Sequence, residues 1–78
     1  MKLSIISSHS VLFQGDADSV TFPGVKGSFT VLKNHAPLIS VLTPGPVKCS
    51  LTDGQNKEID IKGGLVDVAD NVISVCVY

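Results

Sequence analysis

The chain has 78 residues and a formal net charge of -1, with 44% hydrophobic residues, 5% aromatic residues and no tryptophan. A domain this small buries only about 60–65% of the surface its unfolded chain exposes, so one thin-cored domain over 1–78 is expected and a deep enclosed active site is hard to build. A near-neutral charge without a basic patch interleaved with aromatics argues against nucleic acid and anionic lipid as partners.

The opening run MKLSIISSHSVLF is broken by Ser4, Ser7, Ser8, His9 and Ser10. It lacks a continuous apolar region and reads as neither a signal peptide nor a membrane span, so no direct membrane insertion is expected. A reducing compartment then leaves Cys49 and Cys76 as free thiols. Next, Asp16 and Asp18 read as solvated strand or turn residues, because calcium needs about six to eight spaced oxygens. Pro23-Gly24 fits the middle of a type II turn, where glycine supplies φ > 0. Pro44-Gly45-Pro46 reads as a further stop, since proline cannot join a central ladder.

The second half alternates with period two. Val47, Cys49 and Leu51 point one way, opposite Lys48 and Ser50. Ile59 and Ile61 oppose Glu58, Asp60 and Lys62. Ile73, Val75 and Val77 oppose Ser74 and Cys76, and the apolar character of both faces of this last run suggests a central strand. Asp53-Gly54 marks a longer polar hairpin loop and Asp70-Asn71 a tight one. Gly63-Gly64 reads as a bulge or a close backbone approach. With no 3.6-residue periodicity anywhere, about eight to ten short strands predict an all-β antiparallel sandwich or barrel.

Chemistry is sparse. His9, His35, Cys49 and Cys76 are zinc-ligand types, but no CxxC or HxxxH pair brings two together. No serine sits in a Gly-x-Ser-x-Gly elbow. Gly24-Val25-Lys26-Gly27-Ser28 lacks the GxxxxGK[ST] order that wraps phosphate ahead of a helix. No catalytic residue, metal, cofactor or small-molecule ligand is therefore expected. Asn34-His35-Ala36-Pro37 is a rigid polar corner: Pro37 drives Ala36 to extended geometry and Asn34 tolerates the left-handed region. His35 either locks this corner through a backbone bond or contacts a partner, and the two roles are compatible.

The segment Gly27-Ser28-Phe29-Thr30-Val31-Leu32-Lys33-Asn34-His35-Ala36-Pro37-Leu38-Ile39, then Pro44-Gly45, resembles the ε subunit of F-type ATP synthases. Phe13-x-Gly15, Asp18-x-Val20-x-Phe22-Pro23-Gly24, Gly63-Gly64-Leu65-Val66-Asp67-Val68 and Asn71-Val72-Ile73-Ser74-Val75 resemble that family's other landmarks in the same order. The resemblance implies a flattened β-sandwich of about ten strands. It also implies a non-catalytic central-stalk subunit that packs on the γ subunit and meets the polar loops of the c-ring, coupling proton translocation to ATP synthesis. Its location would be the cytoplasmic face of a bacterial plasma membrane. The ring-facing loop would map onto Lys26–Pro37, with Lys26, Gly27, Ser28, Phe29, Lys33, Asn34 and His35 as contacts.

Departures from the family pattern are Ser28, often acidic in relatives, Asn34, often glycine, and Lys62, often serine. The chain ends at Tyr78, where relatives commonly continue into two helices, so no inhibitory helical hairpin or ATP-sensing site is expected in these residues. The alternative reading is a free-standing β-sandwich module that binds an unknown ligand.

Overall fold

The computed structural model describes residues 1–78 as eight strands and no helix. They are β1 (Lys2–Ile6), β2 (Val11–Gly24), β3 (Gly27–Leu32), β4 (Leu38–Leu42), β5 (Gly45–Leu51), β6 (Asn56–Ile61), β7 (Gly64–Ala69) and β8 (Val72–Val77). Strand order is β1-β8-β7-β4-β2-β5-β6, with β3 on β2 and β1 also paired to β2. β1, β8, β7, β4 and β2 therefore close on themselves, while β3, β5 and β6 extend β2 into a second layer. Pairing is antiparallel throughout except between β1 and β8.

β2 shows how one strand serves both layers. Fourteen residues at about 3.3 Å each would reach roughly 45 Å, yet the longest dimension of the molecule is 26 Å. The strand bends at a bulge where Ala17 pairs with Leu51 and Ser19 with Ser50, leaving Asp18 unpaired in that ladder. The extra residue flips the inward parity. Ala17 faces the core before the bulge, and Val20 and Phe22 face it afterwards.

The core holds fifteen buried hydrophobic residues, Leu3, Ile5, Phe22 and Val66 among them, and no buried polar or charged side chain. Its inward residues are those the period-two alternation picks out: Val47, Cys49, Ile61, Ile73, Val75 and Val77 are all buried. Cys49 acts as a small hydrophobe, and burial pushes its thiol pKa up, with nearby Lys57 opposing the shift. The last strand, β8, is central, as its apolar second face suggested, flanked by β1 and β7.

Three expectations need correcting. There are eight strands rather than about ten, β2 alone running unbroken over fourteen residues. β2 also runs through Pro23-Gly24, where a turn was expected. The turn falls instead on Val25-Lys26, closed by pairing of Gly24 with Gly27. Gly24 is required by crowding rather than by φ: a Cβ there would lie 2.7 Å from the Gly27 carbonyl oxygen and 2.9 Å from the Phe29 ring. The stop read at Pro44-Gly45-Pro46 falls on Thr43-Pro44, between β4 and β5, while Pro46 already lies within β5. It sits at the start of β5 opposite Asp60 of the edge strand β6, beyond the residues of β5 that pair with β2.

Other turn readings hold. Asp70 and Asn71 have φ of 53° and 61°, as a two-residue primed turn requires. Gly54, with φ 90°, sits in the polar loop between β5 and β6. Gly63-Gly64 is a close approach: a Cβ on Gly64 would lie 2.9 Å from the Val77 Cα and overlap the Cys76 carbonyl.

Candidate partner-binding surfaces

The seven residues expected on one loop are divided by β3. Lys26, Gly27, Ser28 and Phe29 form the β2–β3 hairpin tip and the first residues of β3. Lys33, Asn34 and His35 follow the far end of the same strand, roughly 17 Å away at the usual rise per residue. Phe29 is half-buried, its ring centroid 5.5 Å from that of Phe22. Lys26 and Ser28 are exposed, and neither side chain makes a hydrogen bond or ion pair.

The corner at the far end is tied to its surroundings. The Asn34 backbone N–H donates to Asn71 Oδ1 at 2.6 Å, and Asn71 Nδ2 donates to Asn34 Oδ1 at 2.9 Å. Asn34 has φ 63°, so the left-handed geometry anticipated for it is present. The pair clasps the β3–β4 corner to the β7–β8 turn. Lys33 Nζ lies 3.0 Å from an Asp18 carboxylate oxygen, an exposed pair worth at most about 1 kcal/mol. The His35 N–H donates to the Leu32 carbonyl, and its ring Nδ1 lies 2.7 Å from the Ala36 carbonyl oxygen. That carbonyl can only accept, so Nδ1 carries the proton in this contact. His35 thus makes the corner-locking backbone bond, and no serine, cysteine or carboxylate hydrogen-bonds its ring.

A third surface was not anticipated. On the outside of the closed ring of strands, Val41 pairs with Leu65, Leu65 with Cys76, Cys76 with Ile6 and Ile6 with Val11. These five residues form one apolar row across β4, β7, β8, β1 and β2, all of them solvent-exposed. Ile39, at 68% the most exposed of the aliphatic side chains, lies on the same face of β4 as Val41. The row continues to the hairpin tip, where the Val25 N–H donates to the Val41 carbonyl at 3.2 Å. A shallow groove of about 390 Å³ lies between β3 and β4, walled by Lys26, Gly27, Phe29, Leu38, Ile39 and Val41. The tip residues and the apolar row are therefore continuous.

The outer face of the other layer is polar. Across β3, β2, β5 and β6 one row reads Thr30, Thr21, Lys48, Glu58 and the next Leu32, Ser19, Ser50, Asn56. Thr21 and Thr30 share a hydroxyl hydrogen bond of 2.8 Å. Leu32 is its one large exposed aliphatic residue. The sequence did carry a signal for the apolar row, in the outward apolar positions of LISVL, GGLV and VISVCV. Alternation reveals an apolar outward position, but the neighbours that make it a row come from distant segments.

The family profile described as "ATP synthase, Delta/Epsilon chain, beta-sandwich domain" matches residues 1–78. The ATP synthase epsilon chain of a Nitratiruptor species is 46% identical over 71 residues, covering 91% of this chain and 55% of that protein. The epsilon chain of Leptospira borgpetersenii is 37% identical over 76 residues, covering 96% of this chain and 58% of that protein. The chain thus spans a little over half the length of these two relatives. Against the epsilon chain of Chlorobium limicola it is 39% identical, covering 90% of this chain and 80% of that one. Among solved structures, a chain of the Euglena gracilis mitochondrial ATP synthase (OSCP/F1/c-ring) superposes with a TM-score of 0.89 at 22% identity, covering 96% of this chain and 48% of that one. A chain of the Tetrahymena thermophila mitochondrial ATP synthase central stalk and c-ring gives 0.81 at 23% identity, covering 99% and 62%. At these identities the two structures show the shared fold.

Proposed function

The chain belongs to the β-sandwich family of ATP synthase delta/epsilon chains, and on that premise we propose that it is a non-catalytic central-stalk element of an F-type ATP synthase, coupling proton translocation to ATP synthesis. The observation that carries the reading is the exposed apolar row Val41–Leu65–Cys76–Ile6–Val11, opposite a polar face on the other layer. A core already filled by inward residues gains nothing from apolar groups turned outward. An exposed row of this kind marks a surface that a partner covers.

In this reading the row packs on the γ subunit, and each half-exposed aliphatic side chain contributes about 1 kcal/mol when covered. The hairpin tip, contiguous with the row through Val25 and Val41, meets the polar loops of the c-ring. Lys26, Gly27, Ser28 and Phe29 are the contact residues. Lys26 and Ser28 have no partner within the chain, so both are available to one outside it. Lys33, Asn34 and His35 bond Asp18, Asn71, Leu32 and Ala36 and so shape the corner, while His35 Nε2 and Asn34 Nδ2 make no bond within the chain and are available to a partner. The mechanical task fits a closed ring of hydrogen-bonded strands, which carries load between two surfaces with little change of form. The complex would sit at the cytoplasmic face of a bacterial plasma membrane.

The test is co-purification with the γ subunit of the same organism. Tagged chain should retain γ, Leu65→Asp should lose it, and Thr30→Asp on the polar face should keep it. Failure of the unaltered chain to retain γ, with ATP synthesis still proton-coupled after its gene is deleted, would remove the proposal.

A further inference from the structure

We propose that β3 is a docking edge: in the assembled complex an extended segment of a c-ring polar loop pairs with its open side, and a carboxylate of that segment binds Lys26. The inference rests on the reading that the hairpin tip meets the c-ring, and it states what the ring must offer there.

β3 ends its layer, bonded to β2 and to no other strand. Antiparallel pairs alternate between bonded and non-bonded. Gly24 and Gly27 close the two-residue turn as a bonded pair, so Phe22–Phe29 and Val20–Val31 are bonded pairs too. Pro23, opposite Ser28, has no N–H, and its carbonyl accepts the Thr43 N–H at 2.8 Å and the Thr43 hydroxyl at 3.2 Å on the far side of β2. The peptide groups of Ser28, Thr30 and Leu32 therefore point away from β2. Of these only the Leu32 carbonyl is used, by the His35 N–H at 3.1 Å. Ser28 and Thr30 each offer an N–H and a C=O at the spacing an added strand requires.

The opposite edge of the same layer is β6, and the two edges are finished differently. β6 carries Lys57, Glu58 and Asp60, charges of both signs that oppose edge-to-edge pairing. β3 reads Gly27-Ser28-Phe29-Thr30-Val31-Leu32, with no charge, proline or bulge. A strand added beside it turns alternate side chains inward, over the groove of about 390 Å³ walled by Phe29, Leu38, Ile39 and Val41. An aliphatic side chain fits there. Lys26 is the one charged residue of that groove, and it has no partner within the chain. The segment that complements this edge is thus extended, aliphatic on its inward side and acidic at the end beside Lys26.

The experiment titrates the complex of the chain and γ with detergent-solubilised c-ring of the same organism, and follows amide hydrogen exchange at single-residue resolution. Without the ring, the Phe29 and Val31 amides should exchange slowly and those of Ser28 and Thr30 fast. Adding the ring should slow Ser28 and Thr30 by about tenfold or more. Thr30→Pro removes an outward N–H, which an edge strand tolerates, and should weaken ring binding about tenfold. Thr30→Val loses the same hydroxyl bond to Thr21 but keeps the N–H, and should bind like the unaltered chain. Lys26→Glu should also weaken binding about tenfold, with the loss shrinking in high salt. Urea unfolding checks that each variant is folded. Ser28 and Thr30 exchanging as fast with the ring bound as without it, or Thr30→Pro binding as well as Thr30→Val, would overturn the proposal. Slow exchange at both residues before the ring is added would overturn the assignment to the ring. Failure of the ring to bind the complex at all is a separate result, which removes the stalk assignment and this edge assignment with it.

Discussion

Outward from β7 and β8 stand Leu65, Asp67, Ala69, Val72, Ser74 and Cys76, whereas outward from β2 and β5 stand Ser19, Thr21, Pro46, Lys48 and Ser50. The inward residues of both pairs are alike: Val66, Val68, Ile73 and Val75 on one side, Val20, Phe22, Val47 and Cys49 on the other. Folding demands apolar groups only on the inner faces, so the inner faces agree. The outer faces are free to differ, and their difference reports what each meets. A polar outer face meets water. In the proposed reading, the outer face with the five-strand apolar row meets a partner.

The largest expected effect falls on the spine of the apolar face. Gly64→Ala would drive a methyl group into the Cys76 carbonyl and the Val77 Cα. Backbone cannot yield as a side-chain tip can, so a loss of about 3 kcal/mol or more is expected in urea unfolding. A loss under about 1 kcal/mol would show that β7 and β8 can separate there.

Next comes the contrast itself. Leu65→Asp should weaken γ binding at least tenfold, about 1.4 kcal/mol, while changing stability by less than about 1 kcal/mol, because Leu65 is already 46% exposed. Titration of immobilised γ checks the first part and urea unfolding the second. Thr30→Asp, which gives up the hydroxyl bond to Thr21, should lower stability by about 1 kcal/mol and leave γ binding unchanged; equal loss of binding from both variants would erase the distinction between the faces.

The clasp at the far end should matter comparably to stability alone. Asn71→Ala removes two hydrogen bonds and places alanine at φ 61°, with an expected cost of about 1–2 kcal/mol. Asn71→Gly keeps the backbone geometry and should recover part of that loss.

Smaller effects separate the two thiols. Cys76 should react with a thiol reagent in the native protein, and Cys49 only on unfolding. The Cys49 pKa is raised by burial, so the folded state holds its proton more tightly than the unfolded chain does. That contribution to stability is complete below the ordinary thiol pKa of about 8.5 and is lost as pH rises through the higher folded value. Cys49→Ala should flatten this alkaline decline, as pH-dependent urea midpoints would reveal. The smallest expected effect is His35→Ala, at about 0.5 kcal/mol in urea unfolding, since its ring bonds only the adjacent carbonyl at an exposed site.

How far the sequence could be read varied from residue to residue. Val47, Cys49, Ile61, Ile73, Val75 and Val77 declared their burial through alternation, and Asp70-Asn71 declared its turn through residue chemistry. The hairpin at Val25-Lys26 was misplaced by two residues, because Pro23-Gly24 carries turn chemistry while Gly24 serves a crowded contact with Gly27 and Phe29. The bulge at Asp18 left no local mark, so the change of inward parity along β2, from Ala17 to Val20 and Phe22, was not legible.

By itself the sequence determined the strand faces, most of the turns and membership in the family, because each depends on residues a few positions apart or on ordered landmarks. The tertiary structure alone decided that Lys26 and His35 lie at opposite ends of β3. It decided that Asn34 meets Asn71, and that Val41, Leu65, Cys76, Ile6 and Val11 form one row. The physical reason is the range of the interactions. Period two tells which way a side chain points, but strand pairing chooses its neighbours, and here that pairing joins segments from both ends of the chain.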